Sequence, residues 1–434
     1  VARAGRSVLV LEARERVGGR AKNWACGMGK QCDCGQVVGP RFTRLRELAG
    51  ELGVELYKPY LDGRDISYAS GQRSTSPATG PGRTRDLVDL VAPDSRVAFT
   101  RLNEIARTVP RESPWETPNA AELDAQTFET WKDENITSRT GRAFADLLVW
   151  TATSSEAGEV SLLHMATYLA RAGEEGESGD SGRIFDFLLD GEFVDGGLQL
   201  VANRMATELG RRVVLKSAVG RLVQRGRRVR VESRRMTVEA RQVIVAMPPS
   251  VTDGIEYTPD LPPLRAELAK RYPQGTMVSF SAAYEKPFWR ELGFTGRVGG
   301  YGFDPVILCL DTTPPGVDFG VLTGFATAAA GRRVGRRPAE ERRQAALANL
   351  ASFFDERALH PMEFLERNWS APRWTRGCPG FLPPGVITEH GPAINAPFER
   401  VRWAGTEHST TWTTFSEGAV RSGERAAKEA LAAL

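Results

Sequence analysis

Apolar and polar positions change their spacing along the chain, and the first part of the sequence contains three patterns. Residues 6–12 form an apolar run with several β-branched side chains, which predicts a strand. Residues 42–57 place leucines at helical spacing and predict a helix that leads into a strand. Residues 71–86 are rich in Gly, Pro, Ser and Thr and predict an exposed loop or hairpin.

The rest of the chain combines helical and strand patterns. Apolar residues follow helical spacing from about residue 85 to 175, and the polar run 173–182 closes this block. A helix and four short strands follow, up to the Pro-Pro pair at 248–249. Four later segments are predicted as a strand over 277–285, a helix over 338–356, a strand over 400–405 and a helix from Glu417 to Ala433. This mixture predicts an α/β fold.

The order of these patterns predicts two interleaved domains. A Rossmann-like nucleotide domain takes both ends and the middle of the chain, and an α+β substrate domain takes the two insertions. The expected boundaries are 1–75, 191–260 and 375–434 for the nucleotide domain, and 76–190 (mostly helical) and 261–374 for the substrate domain.

Composition narrows the class of protein. With 434 residues, 41% hydrophobic and 26% charged, the chain has room for two or three ordinary globular domains. The net charge of +3 is small and its basic residues are interspersed with acidic ones, which argues against nucleic acid as a partner. No apolar run approaches the ~18 residues of a membrane span, and no signal peptide is evident. We therefore expect a cytoplasmic protein without a membrane partner.

Cysteine and histidine usage argues against a metal site. The five cysteines are an odd number without a secretory signal, which favours reduced thiols. Cys32 and Cys34 have C-x-C spacing, and the four histidines are scattered along the chain. We predict no metal ligands.

The first strand ends in a residue type that suits a nucleotide. Glu12 follows the apolar run, where a carboxylate can accept both hydroxyls of a ribose. Gly18 and Gly19 allow close approach of the backbone to a pyrophosphate or flavin, and Arg20 supplies a cation there. The phosphate-binding G-x-G-x-x-G is expected roughly 20 residues before such an acid. Only eleven residues precede Glu12, so we expect this loop to lie outside the sequence.

Five motifs occur in a fixed order from residue 1 to the C-terminus. They are VLVLEARERVGGRA, FVDGGLQLVANRMA, VIVAMPP, EKPFWR and RWAGTEHSTTWTTFSEGAVRSGERAA. Together they resemble the flavin-containing amine oxidase family, which includes monoamine and polyamine oxidases. The resemblance implies an FAD-binding domain interleaved with a substrate domain, and FAD as the cofactor.

The resemblance also implies which residues hold FAD. The N-terminus of the last helix would face the flavin edge that gains negative charge on reduction. Glu407 would contact the ribityl or pyrophosphate region, and Val219 the adenine. The full set of expected cofactor-binding residues is Glu12, Arg14, Gly18, Gly19, Arg20, Gly35, Val219, Trp369, Gly405, Glu407, Glu417, Gly418, Ala419 and Val420.

Three further residues are expected at the reacting face. Phe415 stands where the family has one aromatic wall of a cage in front of the flavin, and Trp412 precedes it. Where the family has the second aromatic wall, this sequence has Cys378-Pro379-Gly380 and is about one residue short, so this side of the cage departs from the family pattern. Ser279 stands where the family has a lysine bonded through water to the flavin, which suggests a slower oxidase, a dehydrogenase or different substrate chemistry. Cys378 matches the cysteine that binds flavin covalently in some members, but its neighbours differ, so we expect non-covalent FAD.

These observations predict an FAD-dependent enzyme that oxidises the C–N bond of an amine. Its electrons would pass to oxygen or another acceptor, and a homodimer is considered as its oligomeric state. The alternatives are a related flavoenzyme that acts on C–C bonds, similar to carotenoid desaturases or protoporphyrinogen oxidase, and a flavin-free, non-catalytic remnant of the fold.

Overall fold

The computed structural model describes residues 1–27, 29–69, 72–78, 93–174, 176–177, 179–302 and 304–434. Its strands are β1 (Val10–Leu11), β2 (Trp24–Cys26), β3 (Lys30–Cys32), β4 (Leu56–Tyr57), β5 (Arg64–Ala69), β6 (Gln72–Pro77), β7 (Phe193–Val194), β8 (Val213–Val214), β9 (Val219–Arg225), β10 (Arg228–Ser233), β11 (Thr237–Ala240), β12 (Val243–Ala246), β13 (Glu256–Thr258), β14 (Met277–Tyr284), β15 (Phe294–Gly300), β16 (Leu308–Asp311), β17 (Gly320–Thr327), β18 (Glu363–Asn368) and β19 (Val401–Ala404).

Helices cover most of the segments for which the sequence predicts them. They are α1 (Thr43–Glu51), α2 (Pro93–Thr108), α3 (Ala120–Ala125), α4 (Phe128–Asn135), α5 (Arg139–Thr153), α6 (Leu162–Ala170), α7 (Gly182–Asp190), α8 (Gln199–Leu209), α9 (Pro249–Thr252), α10 (Pro263–Lys270), α11 (Phe288–Glu291), α12 (Ala328–Gly335), α13 (Ala339–Phe353), α14 (Val386–His390) and α15 (Ser416–Ala432). The part of the expected loop and helical block that falls on residues 79–92 lies outside the described residues.

Short parallel pairs build the nucleotide part of the fold. β1 pairs with β8, and β12 pairs with β19, in both cases in parallel. The antiparallel strands β11, β10 and β9 form a sheet that β13 extends in parallel. Strands that are far apart in sequence therefore meet here, as the interleaved arrangement requires.

A mixed sheet forms the centre of the substrate part. Among the described residues it contains seven strands in the order β18-β14-β17-β16-β15-β5-β6. Alternate residues of β14, such as Val278 and Phe280, pack with Leu347 and Leu350 of α13 in one apolar core. The residues between them, such as Ser279, therefore point to the other face.

β5 and β6 extend this sheet beyond the expected domain boundary at residue 75. β5 pairs in parallel with β15, and β6 pairs with β5 as an antiparallel hairpin. β6 is the edge strand and its side chains are largely exposed, whereas β5 buries Asp65 and Ile66. The polar sequence from residue 72 onward, predicted as a loop or hairpin, therefore begins with the edge strand of this hairpin.

The helical block forms a second core. Buried apolar residues of α1, α2, α4, α5 and α6 pack together, among them Leu45, Leu102, Trp131, Leu148 and Leu169. Three of these helices begin at hydroxyl residues that accept backbone hydrogen bonds from the first turn, which are Thr127, Ser138 and Ser161. Within the described residues, no helix combines the length and apolar character needed to cross a bilayer.

The cysteines differ in part from the prediction of reduced thiols. Cys26 and Cys32 form a disulfide across the β2–β3 hairpin, whereas Cys34, Cys309 and Cys378 are free. Cys26 is opposite Lys30 and Cys32 is opposite Trp24, so the two cysteines are diagonal neighbours in the hairpin, a proximity that their spacing in the sequence does not reveal.

Glu417 fixes the last helix against the first. Its carboxylate is fully buried and accepts hydrogen bonds from the backbone N–H groups of Arg44 (3.0 Å) and Leu45 (2.7 Å), at the start of α1. It also accepts one from Arg421 at 2.6 Å, one turn further along α15. One side chain thus caps α1 and neutralises a cation on α15.

We predict that Glu417→Gln lowers the free energy of unfolding by about 3 kcal/mol, because it removes one partner of a buried ion pair. Chemical denaturation measures this loss. Glu424→Gln is the matched control, since Glu424 pairs with Arg44 at the surface and should cost less than about 1 kcal/mol. Equal losses in the two variants would contradict the capping role.

Candidate active site

A buried ion pair lies where the two parts of the fold meet. Arg20 follows Gly18 and Gly19, whose φ angles of 98° and 58° turn the chain after β1. Its two terminal nitrogens donate to Glu407, at 2.7 and 2.8 Å. Nη1 also donates to Gln274, at 3.1 Å, just before β14. Arg20 therefore joins segments that follow β1 and β19 to the start of a substrate-domain strand.

The protonation states of this pair follow from competing effects. Glu407 is 1% exposed, and this burial opposes its negative charge. The attraction of Arg20 outweighs the burial, so the pKa of Glu407 falls to about 2. Burial by itself would lower the pKa of Arg20, but the attraction of Glu407 raises this pKa by more than burial lowers it. The arginine therefore stays charged. Both ions persist at neutral pH.

Glu12 and Arg14 form a second polar group at the end of β1. Glu12 accepts a hydrogen bond from the backbone N–H of Arg14 at 2.8 Å. Arg14 reaches the 374–375 loop, where it donates to the Trp374 carbonyl and to the Thr375 hydroxyl, both at 2.8 Å. Glu12 also bonds through its backbone carbonyl to Ser217, two residues before Val219. The expected ribose and adenine residues therefore lie close together.

Two cations that the sequence analysis did not single out lie beside this group. Arg16 uses its guanidinium to bind the carbonyls of Val17, Gly19 and Ala21. Burial, followed by the nearby Arg14 and Arg367, lowers the pKa of Arg16 to about 10. Burial and the same kind of cationic neighbours lower the pKa of Lys22. Such a concentration of positive charge suits the pyrophosphate of a dinucleotide.

Gly35 marks a close approach of backbone to the substrate-domain sheet. Its φ is 80°, and a Cβ at this position would collide with the ring of Phe325 on β17. Only glycine fits there. Gly405, with a φ of 127°, makes a similar tight turn after β19.

Ser279 lies on the sheet face that points toward this glycine. It is directly opposite Phe325 across β14 and β17, and paired residues share a face. Its hydroxyl accepts a hydrogen bond from the indole N–H of Trp369 at 3.2 Å. The structure therefore brings together Ser279, Trp369 and Gly35, three of the expected site residues.

Aromatic residues surround Phe415, as the cage prediction requires, but Trp412 is not among the exposed walls. The half-buried ring of Phe415 contacts Phe187 (5.0 Å between centroids) and Tyr168 (5.9 Å). Trp412 is 1% exposed and packs behind Phe415 and against Phe42, inside the helical core. The turn before α15 directs Trp412 inward, so that Phe415 is the half-buried ring of the two.

The expected residues of α15 divide by role. The carboxylate of Glu417 is occupied by α1 and Arg421, so only its backbone could face a cofactor. Gly418 is required because a Cβ there would collide with the carbonyl of Trp412. The N–H of Ala419 already donates to Phe415 at 3.2 Å, and Val420 packs against the helical core. The part of the prediction that fits is the position of the helix start beside Phe415.

An apolar wall extends from Phe415 to the sheet. A Cβ on Gly191 would collide with both Val37 and the backbone of Phe187, so these two residues are neighbours. Val37 in turn packs in a cluster whose members are Tyr57, Phe193, Met277, Leu308, Leu310 and Phe325. We call Tyr168, Phe187, Phe415 and this cluster, with Val37, the apolar wall. Its residues come from nine separate stretches of the chain, and apart from Phe415 no local motif singles them out.

This geometry agrees with comparisons to known proteins. The family model "Flavin containing amine oxidoreductase" matches residues 2–431. The chain belongs to this family. It is 33% identical to an L-amino acid dehydrogenase of Synechocystis, over 99% of this chain and 90% of the relative. It is also 33% identical to a flavin-containing amine oxidase A of Bos taurus, over 99% and 81% of the two chains.

A solved structure shows the same fold. Cyclohexylamine oxidase from Brevibacterium oxydans superposes with a TM-score of 0.88 at 31% identity, over 99% of this chain and 94% of that one. The expected fold class, FAD cofactor and amine C–N oxidation are confirmed for this amine oxidoreductase. The alternatives of a C–C oxidising enzyme and of a non-catalytic remnant are set aside.

The residues present fit FAD on structural grounds. A Cβ at Gly19 would meet no atom within 4 Å, which leaves room beside the backbone at this turn. Buried N–H groups of Gln274 and Arg367 have no hydrogen-bond partner within the described part of the chain. No three His, Cys, Asp or Glu side chains of these residues come together as metal ligands would.

We predict a defined pH dependence for the Arg20–Glu407 pair of this amine oxidoreductase. The pKa of Glu407 falls from 4.5 to about 2 on folding, so its stabilising contribution is complete above about pH 5 and is lost as the pH falls toward 2. The difference in free energy of unfolding between the wild type and Glu407→Gln should therefore be constant above about pH 5 and shrink below it. Denaturation at several pH values measures it. A difference that stays constant down to pH 3 would contradict this assignment.

Proposed function

We propose that this enzyme oxidises primary or secondary monoamines that carry an apolar substituent. The observation that supports this is the apolar wall. Between Phe415 and Leu308 its members are aromatic or aliphatic, and none of them carries a formal charge at neutral pH. Burying a hydrocarbon chain or an aromatic ring against such a surface stabilises the complex by about 25 cal/mol per Å² of apolar area.

The protein's own groups bind and orient the amine. Phe415, with Phe187 and Tyr168 around it, limits the positions that the substrate nitrogen can take. The face of its ring attracts the cationic form of the amine. The sheet residues Phe325 and Leu308 hold the substituent and exclude water. Bound FAD would supply the acceptor for the hydride that leaves the carbon next to nitrogen, and water would hydrolyse the resulting imine.

We propose a set of cofactor-binding residues from the family resemblance, and the contacts of Glu12, Arg14 and Arg20 support it. Glu12 and Val219 would bind the adenosine end, and Arg14, Gly18, Gly19 and Arg20 the pyrophosphate. Gly35, Ser279, Trp369 and Gly405 would lie nearer the flavin, with Glu407 holding Arg20 in place. The cytoplasmic location, the homodimer, and the lack of a membrane or nucleic-acid partner stay predictions from composition and resemblance.

A second charge on the substrate would have no counterpart in the apolar wall. An α-amino acid, the substrate class in the name of the Synechocystis relative, carries a carboxylate that requires a cation. A diamine carries a second ammonium that requires an anion. Burying either charge unpaired costs several kcal/mol.

Two matched pairs of compounds test the substrate class. Phenethylamine and L-phenylalanine differ by one carboxylate, and butylamine and 1,4-diaminobutane by one amino group. We expect the monoamine of each pair to reduce the bound flavin at least about 100-fold more efficiently, since about 2.7 kcal/mol of unpaired-charge penalty corresponds to this factor. Anaerobic mixing measures the rates. Equal or faster reduction by L-phenylalanine would replace the monoamine proposal with an amino acid dehydrogenase.

We also propose that FAD is held without a covalent bond. Cys378 is half-buried beside Arg20 and Glu407, and desolvation of its thiol raises its pKa. A thiol held in its neutral form is a poor nucleophile toward the flavin ring.

The prediction is that acid precipitation releases all the flavin into the supernatant. Cys378→Ala should release the same fraction, because no bond to sulfur is lost. A yellow pellet from the wild type that turns colourless in Cys378→Ala would show a covalent bond instead.

A further inference from the structure

Arg367 lies in the same row of the sheet as Ser279. It is directly opposite Ser279 across β18 and β14, while Ser279 is opposite Phe325 and Phe325 is opposite Leu308. We call these four residues the site row. Because paired residues share a face, Arg367 points to the face that Gly35 approaches.

The side chain of Arg367 crosses from the sheet to the nucleotide part. Nη2 donates to the backbone carbonyl of Asn23 at 2.7 Å. The guanidinium also lies near Cys34, the residue before Gly35. Its Nε–H is enclosed and has no hydrogen-bond partner among the described residues. Buried donors in proteins are normally hydrogen-bonded, so this N–H group indicates that a bound molecule supplies the acceptor.

No described carboxylate neutralises this cation. The neighbouring acid on β18, Glu366, is held on the other face of the strand by Arg342, at 2.7 Å. Burial raises the pKa of the Cys34 thiol to about 11, so the thiol is neutral. Arg16 and Lys22, which interact electrostatically with Arg367, have the same sign as it. The buried carboxylate of Asp33, beside Cys34, accepts hydrogen bonds from the backbone N–H groups of Gln36 and Leu198.

We propose that Arg367 is a positioning residue that sets the reduction potential of the bound flavin. Reduction adds negative charge to the flavin, and a cation held in a low-dielectric site stabilises that charge. Ser279 is uncharged and cannot stabilise this negative charge as a cation does, whereas Arg367, its neighbour in the site row, can. The inference rests on the proposed placement of FAD between Gly35 and the sheet.

The test measures the reduction potential of bound FAD by equilibration with a reference dye, without any amine. Arg367→Gln should lower the equilibrium constant for two-electron reduction at least tenfold, which corresponds to about 30 mV. Arg367→Lys keeps the charge and should stay within threefold of the wild type. The matched control is Arg342→Gln. Arg342 belongs to α13 and binds Glu366 on the opposite face of β18, so the equilibrium constant of this variant should also stay within threefold of the wild type.

Two results would overturn this inference. One is an Arg367→Gln protein that binds FAD stoichiometrically with an unchanged potential. The other is an Arg367→Lys protein shifted tenfold or more, and this test stands even where the glutamine variant does not fold. Failure of the proposed function is seen separately, as a wild-type protein whose FAD the monoamines do not reduce.

Discussion

The contact between Arg20 and Glu407 is the constraint on which the rest of the site depends. Glu407 follows β19 near the end of the chain, and Arg20 follows β1 near its start. A buried pair of ions contributes little net stability, because desolvation offsets much of the attraction. Losing one partner, however, leaves an unpaired charge in the interior. The pair therefore specifies one arrangement of the two chain ends, and Gln274 extends that arrangement to the substrate-domain sheet.

Once these segments are fixed, the remaining geometry follows from close packing. Gly35 has no side chain, so its backbone can approach Phe325 and bring the loop after β3 against the sheet. On the other side, Glu417 locks α15 to α1 and thereby sets the turn that carries Phe415. The two sides leave the apolar wall between them. The proposed site is thus bounded by polar contacts at its edges and by apolar packing at its centre.

The parts of this account that the sequence predicts are local. A strand that ends in Glu12, a Gly-Gly-Arg turn, and a helix that begins near Ser416 each have a signature within a few residues. The positions of Phe187, Tyr168 and Arg367 depend instead on strand register and on helix orientation, which no short window contains. Arg367 meets Ser279 only because β14 and β18, about 80 residues apart in the chain, pair in one register.

The features that the sequence does not reveal have physical reasons as well. The backbone before α15 turns Trp412 into the core, where its contact with Phe42 buries it. The polar stretch predicted as a loop or hairpin contains the edge strand β6, and an edge strand needs few apolar residues. The helix start at Glu417 is expected to face the flavin through its backbone, and the carboxylate of Glu417 in addition caps a helix that lies more than 350 residues away in sequence.

The central claim is that the Arg20–Glu407 pair organises the FAD site. A double-mutant cycle on FAD affinity tests it most directly, with Arg20→Met, Glu407→Leu and the double variant, each titrated with FAD. The account predicts that each single substitution weakens binding at least tenfold. It also predicts that the double variant binds at least fivefold better than the product of the two losses, because neither ion is then left unpaired. Affinities within twofold of the wild type, or losses that simply multiply, would contradict it.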